Sequence, residues 1–362
     1  MNCAIDMSSE ALAHGGPDDG LAITADFSTN AHPCGPNPFV LRGVRDARVD
    51  AYPDPAYRRL REALAVFHDV ALERIVVGAS ASELIWRVTQ LFANSAAGGA
   101  ARAVIDAPTY GEYRRAAMAS GLAIQSPATG GTDMATLRWI CSPNNPTGEL
   151  LDEQMEREVG IRAGADWPVI VDLAYRPFDA LLEPGLSQHP GVLRAAWADR
   201  VVQLWSPNKL HGLTGVRGAY LVLPEREHEA LDARSLDALA PSWVLGADGV
   251  AMLHAHVLPQ ALTHLLEVQP ELQSWKASQD DALREAGWQL RASRLHFGLA
   301  RPPWPAREAL PLQRWHEHLR HHGIKLRNAA SFGLPEWVRL SARSSKDVLR
   351  LIALTRDFME TA

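Results

Sequence analysis

The sequence predicts an α/β fold: a large unit on a mainly parallel central sheet, followed by a smaller C-terminal α+β unit. Three observations carry that prediction. Short apolar runs alternate with helical segments: "RIVVG" (74–78), "ELIWRVTQLF" (83–92), "RAVIDAP" (102–108), "EYRRAAMAS" (112–120), "LRWICSP" (137–143), "WPVIVDLAY" (167–175), "RVVQLWSP" (200–207) and "RGAYLVLP" (217–224). The strand-like runs are apolar throughout, the mark of strands covered on both faces. Beyond about residue 245 the pattern changes, and 362 residues exceed what one hydrophobic core usually organises.

Taken in order, residues 1–50 are rich in Gly, Pro and Asn and show little periodicity, which reads as an extended N-terminal arm. Residues 51–245 form the expected large domain. It opens with a helix from Tyr57, where Tyr57, Leu60, Leu64 and Phe67 share one face while Arg58, Arg59, Arg61 and Glu62 turn away. Residues 246–362 form the expected small domain. Helical stretches at roughly 247–268 and 270–290 lead to "LHFGLARPP" (295–303), a helix around 309–322, the short run "GIKLR" (323–327), "EWVRLSAR" (336–343) and a closing helix from Ser345.

Composition narrows the function classes. With 47% hydrophobic and 22% charged residues the chain reads as an ordinary globular protein. The 36 basic and 42 acidic residues leave a formal charge of −6, which argues against nucleic acid or an anionic membrane as partner. Cys3, Cys34 and Cys141 are too few and scattered for a disulfide framework, so a reducing cytoplasm is expected. No signal peptide or membrane-length apolar run is legible. Fourteen histidines lie singly or in "HEHLRHH" (316–322), and no metal site is expected.

In a parallel sheet, ligands sit beyond the carboxyl ends of the strands, so the residues after each run are the candidates. After "RIVV" comes "GASASE", whose N–H groups near Ala81 and Ser82 can hold a phosphate. "PTYGEY" brings Tyr110, an aromatic able to lie against a flat ring. "SPNNPTG" is a rigid turn that aims Asn145. Asp172 and Tyr175 follow "WPVIV", and Ser206, Lys209 and Arg217 follow "RVVQLW". Lys209 is one of only four lysines among the basic residues, and its amine, unlike a guanidinium, can lose a proton and attack a carbonyl.

Each group also has an ordinary structural reading: Asp172 as a turn cap, Arg217 and Lys209 as solvated surface, "NPTG" as a plain turn. Together and in this order they match the needs of pyridoxal 5′-phosphate. Lys209 would condense with its aldehyde. Asp172 would face the ring nitrogen, and Asn145 and Tyr175 would bond the ring oxygen. Ser206, Arg217 and the N–H groups at Ala81 and Ser82 would hold the phosphate.

Seven segments carry a resemblance: "DFSTNAHPCGP" (26–36), "AYPDPAYRRLREALA" (51–65), "APTYGEY" (107–113), "SPNNPTGELL" (142–151), "VIVDLAY" (169–175), "SPNKLHGLTGVRGAY" (206–220) and "EWVRLSA" (336–342). From roughly Asp26 onward the chain resembles fold-type I pyridoxal-phosphate enzymes of the class I/II aminotransferase superfamily. The similar branch holds histidinol-phosphate aminotransferase and threonine-phosphate decarboxylase. The resemblance puts Asn145, Asp172, Tyr175, Lys209 and Arg217 on the cofactor and Tyr110 on its ring. It implies that Tyr52 reaches the phosphate in a neighbouring subunit, hence a homodimer with shared active sites. It implies Arg339 for the substrate α-carboxylate, Arg327 near a distal phosphate, and Asn30 closing over the substrate.

Three departures accompany it. Leu173 replaces the acid of "DEAY", Asn208 stands where serine is usual before the lysine, and Ala31-His32 replace Glu-Asn of the arm motif "NENP". The arm "DFSTN" is closer to the decarboxylases. The expected activity is transamination of a phosphorylated or otherwise anionic amino compound, with decarboxylation of threonine phosphate in cobalamin biosynthesis as the alternative.

Overall fold

The computed structural model describes residues 15–96, 101–127, 134–151, 156–157, 159–160, 168–181, 195–226, 228–304 and 312–361. The arm contributes strand β1 (Ala25–Asp26). A seven-stranded sheet follows, made of β2 (Ile75–Gly78), β3 (Ala101–Ile105), β4 (Ala123–Gln125), β5 (Ala135–Cys141), β6 (Val169–Asp172), β7 (Val202–Trp205) and β8 (Ala219–Val222). Its order is β2-β8-β7-β6-β5-β3-β4. The pairs from β7 through β4 are parallel, and β8 runs antiparallel to both its neighbours.

Alternation along each strand explains the unbroken apolar runs. Ile75 and Val77 join a core with Leu60, Leu64, Tyr220 and Met252 on one face. Val76, between them, joins Leu84, Val88, Leu137 and Leu221 on the other. Successive side chains point to opposite faces, so a sheet with helices on both sides needs an apolar residue at every position.

The C-terminal unit holds β9 (Gln289–Leu290), β10 (Phe297–Arg301), β11 (Ile324–Lys325), β12 (Arg327–Asn328) and β13 (Val338–Ser341). Strands β12-β13-β10-β9 form an antiparallel sheet, and β11 pairs in parallel with β1. A separate core of Phe27, Trp288, Trp315, Leu319, Val338, Leu340 and Leu351 lies there. The arm is thereby fastened to the small unit before it reaches the large one.

Two expectations are corrected. Part of the arm is helical, Pro38–Arg45, because Asn37 accepts hydrogen bonds from Phe39 and Val40 N–H while Pro38 presets the first turn. The break expected between 268 and 270 falls earlier: the helices are Ala247–His256 and Pro259–Glu285. Leu258 takes the extended backbone that a following proline favours, and Pro259 starts the second helix. Pro270 lies inside that helix, where its missing N–H would have bonded the carbonyl of Leu266, an exposed residue. The helix expected at 309–322 is Leu312–His321, its first residues lying outside the described ones. Among the described residues no helix is long and apolar enough to cross a membrane.

One close approach ties a helix to the sheet edge. A Cβ on Gly249 would stand 2.2 Å from the backbone carbonyl oxygen of Arg217, just before β8. Gly249→Ala therefore lowers the unfolding free energy by about 1–3 kcal/mol, since backbone rather than a flexible side chain must yield. Denaturant unfolding measures it, and an unchanged midpoint contradicts this packing.

Candidate active site

The parallel strands deliver the site. Strands β5, β6 and β7 are neighbours pointing the same way, so their carboxyl ends open on one sheet edge. Asp172 is the last residue of β6, Ser206 follows β7, and the turn after β5 carries Asn145. Close by, Ser80 caps the helix Ala81–Ser95 by accepting from Glu83 N–H, which sets the free N–H groups of its first turn at the same edge. Gly78 is required there: a Cβ would meet Glu83 Oε2 and Leu84 at 2.5 Å.

One cavity of about 710 Å³ gathers every sequence-predicted site residue except Tyr52. From the large domain come Ala81, Ser82, Tyr110, Asn145, Asp172, Tyr175, Ser206, Lys209 and Arg217. Asn30 comes from the arm, and Arg327 and Arg339 from the small unit. Tyr52 lies elsewhere, 78% exposed and stacked on Trp243 at 4.4 Å.

Lys209 and Asp172 dominate the electrostatics. Burial holds the Lys209 amine below the usual lysine range, opposed by the Asp172 charge and reinforced by Arg217. Burial raises the Asp172 carboxyl, opposed by hydrogen bonds from the Tyr113 hydroxyl (2.7 Å) and the Ala174 N–H (3.0 Å). The amine lies 5.6 Å from the centre of the Tyr175 ring and forms no salt bridge among the described residues. A buried lysine held below its usual range by burial has the character of an amine that can lose its proton, which an arginine in its place would lack.

The remaining groups are oriented by one another. Arg339 donates to Asn145 Oδ1 (2.6 Å) and to the Ser28 carbonyl (2.7 Å), and its Nε is buried without a partner. With Oδ1 engaged, Asn145 has its amide N–H₂ left to donate. Asn30 Nδ2 donates to the Tyr175 hydroxyl oxygen at 3.0 Å, leaving that hydroxyl's own proton free. The Tyr110 hydroxyl lies 3.2 Å from Ser82 Oγ.

Arg327 donates to Ser331 Oγ (2.7 Å) and the Asn328 carbonyl (3.0 Å), and its guanidinium lies 5.0 Å from the centre of the Phe332 ring. Burial and the neighbouring Arg339 charge lower it to about 10.

Two of the departures find explanations. Leu173 is 1% exposed in the core beneath β6, with its N–H bonded to the Leu204 carbonyl, so an acid is not needed at the cavity. His32 donates its backbone N–H to the Lys209 carbonyl at 2.9 Å, and its ring stacks on Phe178. Asn208 donates to the Val216 carbonyl, leaving Oδ1 buried and unpartnered.

Sequence reasoning missed Tyr113, Ser28 and Phe332. Only Tyr113 left a signal: it stands three residues after Tyr110 in "TYGEY", close enough along the chain for the two rings to meet where the helix begins.

The residues fit pyridoxal phosphate. Ser206 Oγ is buried with no partner in the same cavity as the Ala81 and Ser82 N–H groups and the exposed Arg217, an incomplete anion cradle. The Lys209 amine and the hydrogen-bonded Asp172 carboxylate line the same cavity.

Comparisons with known proteins agree with the geometry. Histidinol-phosphate aminotransferase of Symbiobacterium thermophilum is 27% identical over 350 residues, covering 92% of this chain and 90% of that one. The structure of histidinol-phosphate aminotransferase from Sinorhizobium meliloti in complex with pyridoxal-5′-phosphate superposes with a TM-score of 0.72 at 18% identity, covering 99% of this chain and 100% of that one. L-threonine-O-3-phosphate decarboxylase from Porphyromonas gingivalis superposes at 0.71 and 19% identity, covering 92% and 99%. These two likenesses show the fold. Residues 45–353 match the family described as aminotransferase class I and II, so the chain belongs to that family of pyridoxal-phosphate enzymes.

Proposed function

We propose that this aminotransferase exchanges an amino group between an amino-acid donor and an amino compound carrying a distal phosphate or similar anion, of the histidinol-phosphate class. Arg327 is the observation that supports this reading. The residue is 7% exposed and lines the cavity, yet the partners of its guanidinium are a hydroxyl, a carbonyl and a ring instead of a carboxylate. A buried cation without a counter-charge is costly, and an anionic substrate group supplies the missing partner. Arg339, also buried and free of carboxylates, suits the α-carboxylate of the donor.

In this reading the domain of residues 51–245 holds the cofactor and that of 246–362 brings both substrate arginines. When bound, pyridoxal phosphate supplies an aldehyde that carries the amino group and a ring that draws electrons from the substrate's α-carbon. Lys209 attaches it, and the same amine takes the proton from the α-carbon and returns it. Asp172 holds the proton on the ring nitrogen. Asn145 and Tyr175 donate to the ring oxygen, each with a proton its neighbours leave free. Tyr110 lies against the ring, and Ser206, Arg217 and the N–H groups of Ala81 and Ser82 hold the phosphate. Asn30 closes over the substrate from the arm.

The exposure of Tyr52 supports a homodimer in which Tyr52 of the partner subunit completes the phosphate site. Scarce cysteine, with Cys34 and Cys141 free among the described residues, supports a cytoplasmic setting.

Lys209→Ala lowers kcat by roughly a hundredfold to ten-thousandfold, as expected for a lost proton carrier. A variant with half the original kcat contradicts the assignment. Arg327→Gln raises KM for histidinol phosphate by about tenfold to a hundredfold and changes it little for an amino donor without a second anionic group. Steady-state kinetics with both substrates checks this, and equal losses would remove Arg327 from the substrate's distal anion. Release of carbon dioxide from threonine phosphate, without conversion of histidinol phosphate, would move the assignment to decarboxylation, which the arm segment "DFSTN" favours.

A further inference from the structure

We propose that Tyr113 is a positioning residue for the reaction: its hydroxyl holds the Asp172 carboxylate as an anion, in one orientation, facing the cofactor ring nitrogen. The inference rests on the reading of Asp172 and Lys209 as cofactor ligands given above.

The geometry behind it is specific. Asp172 is 3% exposed, and its two oxygens have separate donors: the Ala174 N–H at Oδ1 and the Tyr113 hydroxyl at Oδ2. Tyr113 is the only side chain among the described residues that donates to this carboxylate. The 2.7 Å separation is that of a well-formed O–H···O bond.

The two residues come from different elements, 59 positions apart, so no local turn forces the contact. The Tyr113 ring is also immobilised. It stacks on Trp139 at 5.0 Å and 11°, meets Tyr110 edge-on at 5.7 Å, and is fully buried. Its hydroxyl therefore has a fixed position, and a fixed donor fixes the acceptor.

The chemical consequence follows from competing effects. Burial pushes the Asp172 carboxyl towards its neutral form, and the Tyr113 hydrogen bond is the largest effect opposing it. Lys209, Cys141, Tyr110 and Tyr175 are the other titratable groups that feel this carboxylate. Without the phenol, Asp172 becomes more basic and draws the proton from the ring nitrogen towards itself. The ring then withdraws fewer electrons, from its bond to Lys209 and from the substrate alike.

Tyr113→Phe removes one oxygen and keeps the stacked ring. In the holoenzyme, the pH midpoint of the visible absorption band of the Lys209-bound cofactor rises by about half a unit or more. The kcat falls about tenfold to a hundredfold, as for one lost hydrogen bond to a charged group, while KM stays within about twofold. Placing 3-fluorotyrosine at position 113, a more acidic phenol and stronger donor, moves the midpoint the opposite way.

A band present in the original protein with an unshifted midpoint in Tyr113→Phe overturns the inference and spares the cofactor assignment. So does a fluorotyrosine shift in the same direction as phenylalanine. A fall in kcat that merely tracks a fall in Tm assigns Tyr113 to packing alone. Absence of any visible band in the original, cofactor-supplied protein overturns the assignment of Lys209 and this inference with it.

Discussion

The site depends on one constraint: an amine and a carboxylate that would rather be hydrated are held beyond the ends of adjacent parallel strands, without collapsing into a salt bridge. Strands β6 and β7 run side by side, so Asp172 and the loop bearing Lys209 leave the sheet at the same edge. Burial shifts both groups towards neutrality, while each charge favours the other. Tension of that kind persists only where surrounding structure holds both side chains apart. The Ala174 N–H and the Tyr113 hydroxyl do so for Asp172, and the backbone around Lys209 does so for the amine.

That backbone is secured from outside the sheet. The arm meets the loop at the lysine and just beyond it, through His32 N–H to the Lys209 carbonyl and Asn37 N–H to the His211 carbonyl. The same arm is paired to the small unit through β1 and β11, and its Ser28 carbonyl receives Arg339. Arg339 in turn orients Asn145, on the turn after β5. One guanidinium thus links arm, small unit and large unit at the cavity wall, and a hydrogen bond from a buried charge to its acceptors is stronger than one at the surface.

Much of this was legible in the sequence, for a physical reason. A sheet buried on both faces leaves unbroken apolar runs, and function collects at strand ends, so Asp172, Ser206 and Lys209 could be read off as the residues that follow each run. Leu173 shows the same rule from its other side. The neighbour of Asp172 points to the opposite face, where the core wants an apolar residue.

What stayed hidden depends on contacts between distant segments. Tyr113 reads as one more aromatic on a helix until the fold brings Asp172 to its hydroxyl. The carbonyl of Ser28 has no side-chain signal at all, and Phe332 meets Arg327 only in the folded small unit. The helix Pro38–Arg45 was missed although Asn37-Pro38 announces it, because the surrounding Gly and Pro masked a short period. A helix boundary is expected between 268 and 270, but Pro270 lies inside the second helix, and the carbonyl it leaves without a helical donor belongs to the exposed Leu266.

The central claim is that the nitrogen at position 209 is the one that bonds to vitamin B6 aldehyde. Borohydride reduction of the cofactor-supplied protein, followed by proteolysis and mass mapping, tests it directly. The account predicts a pyridoxyl-phosphate mass increment on the peptide containing Lys209. An increment on Lys276, Lys325 or Lys346 instead, or on none of the four lysines, would contradict it.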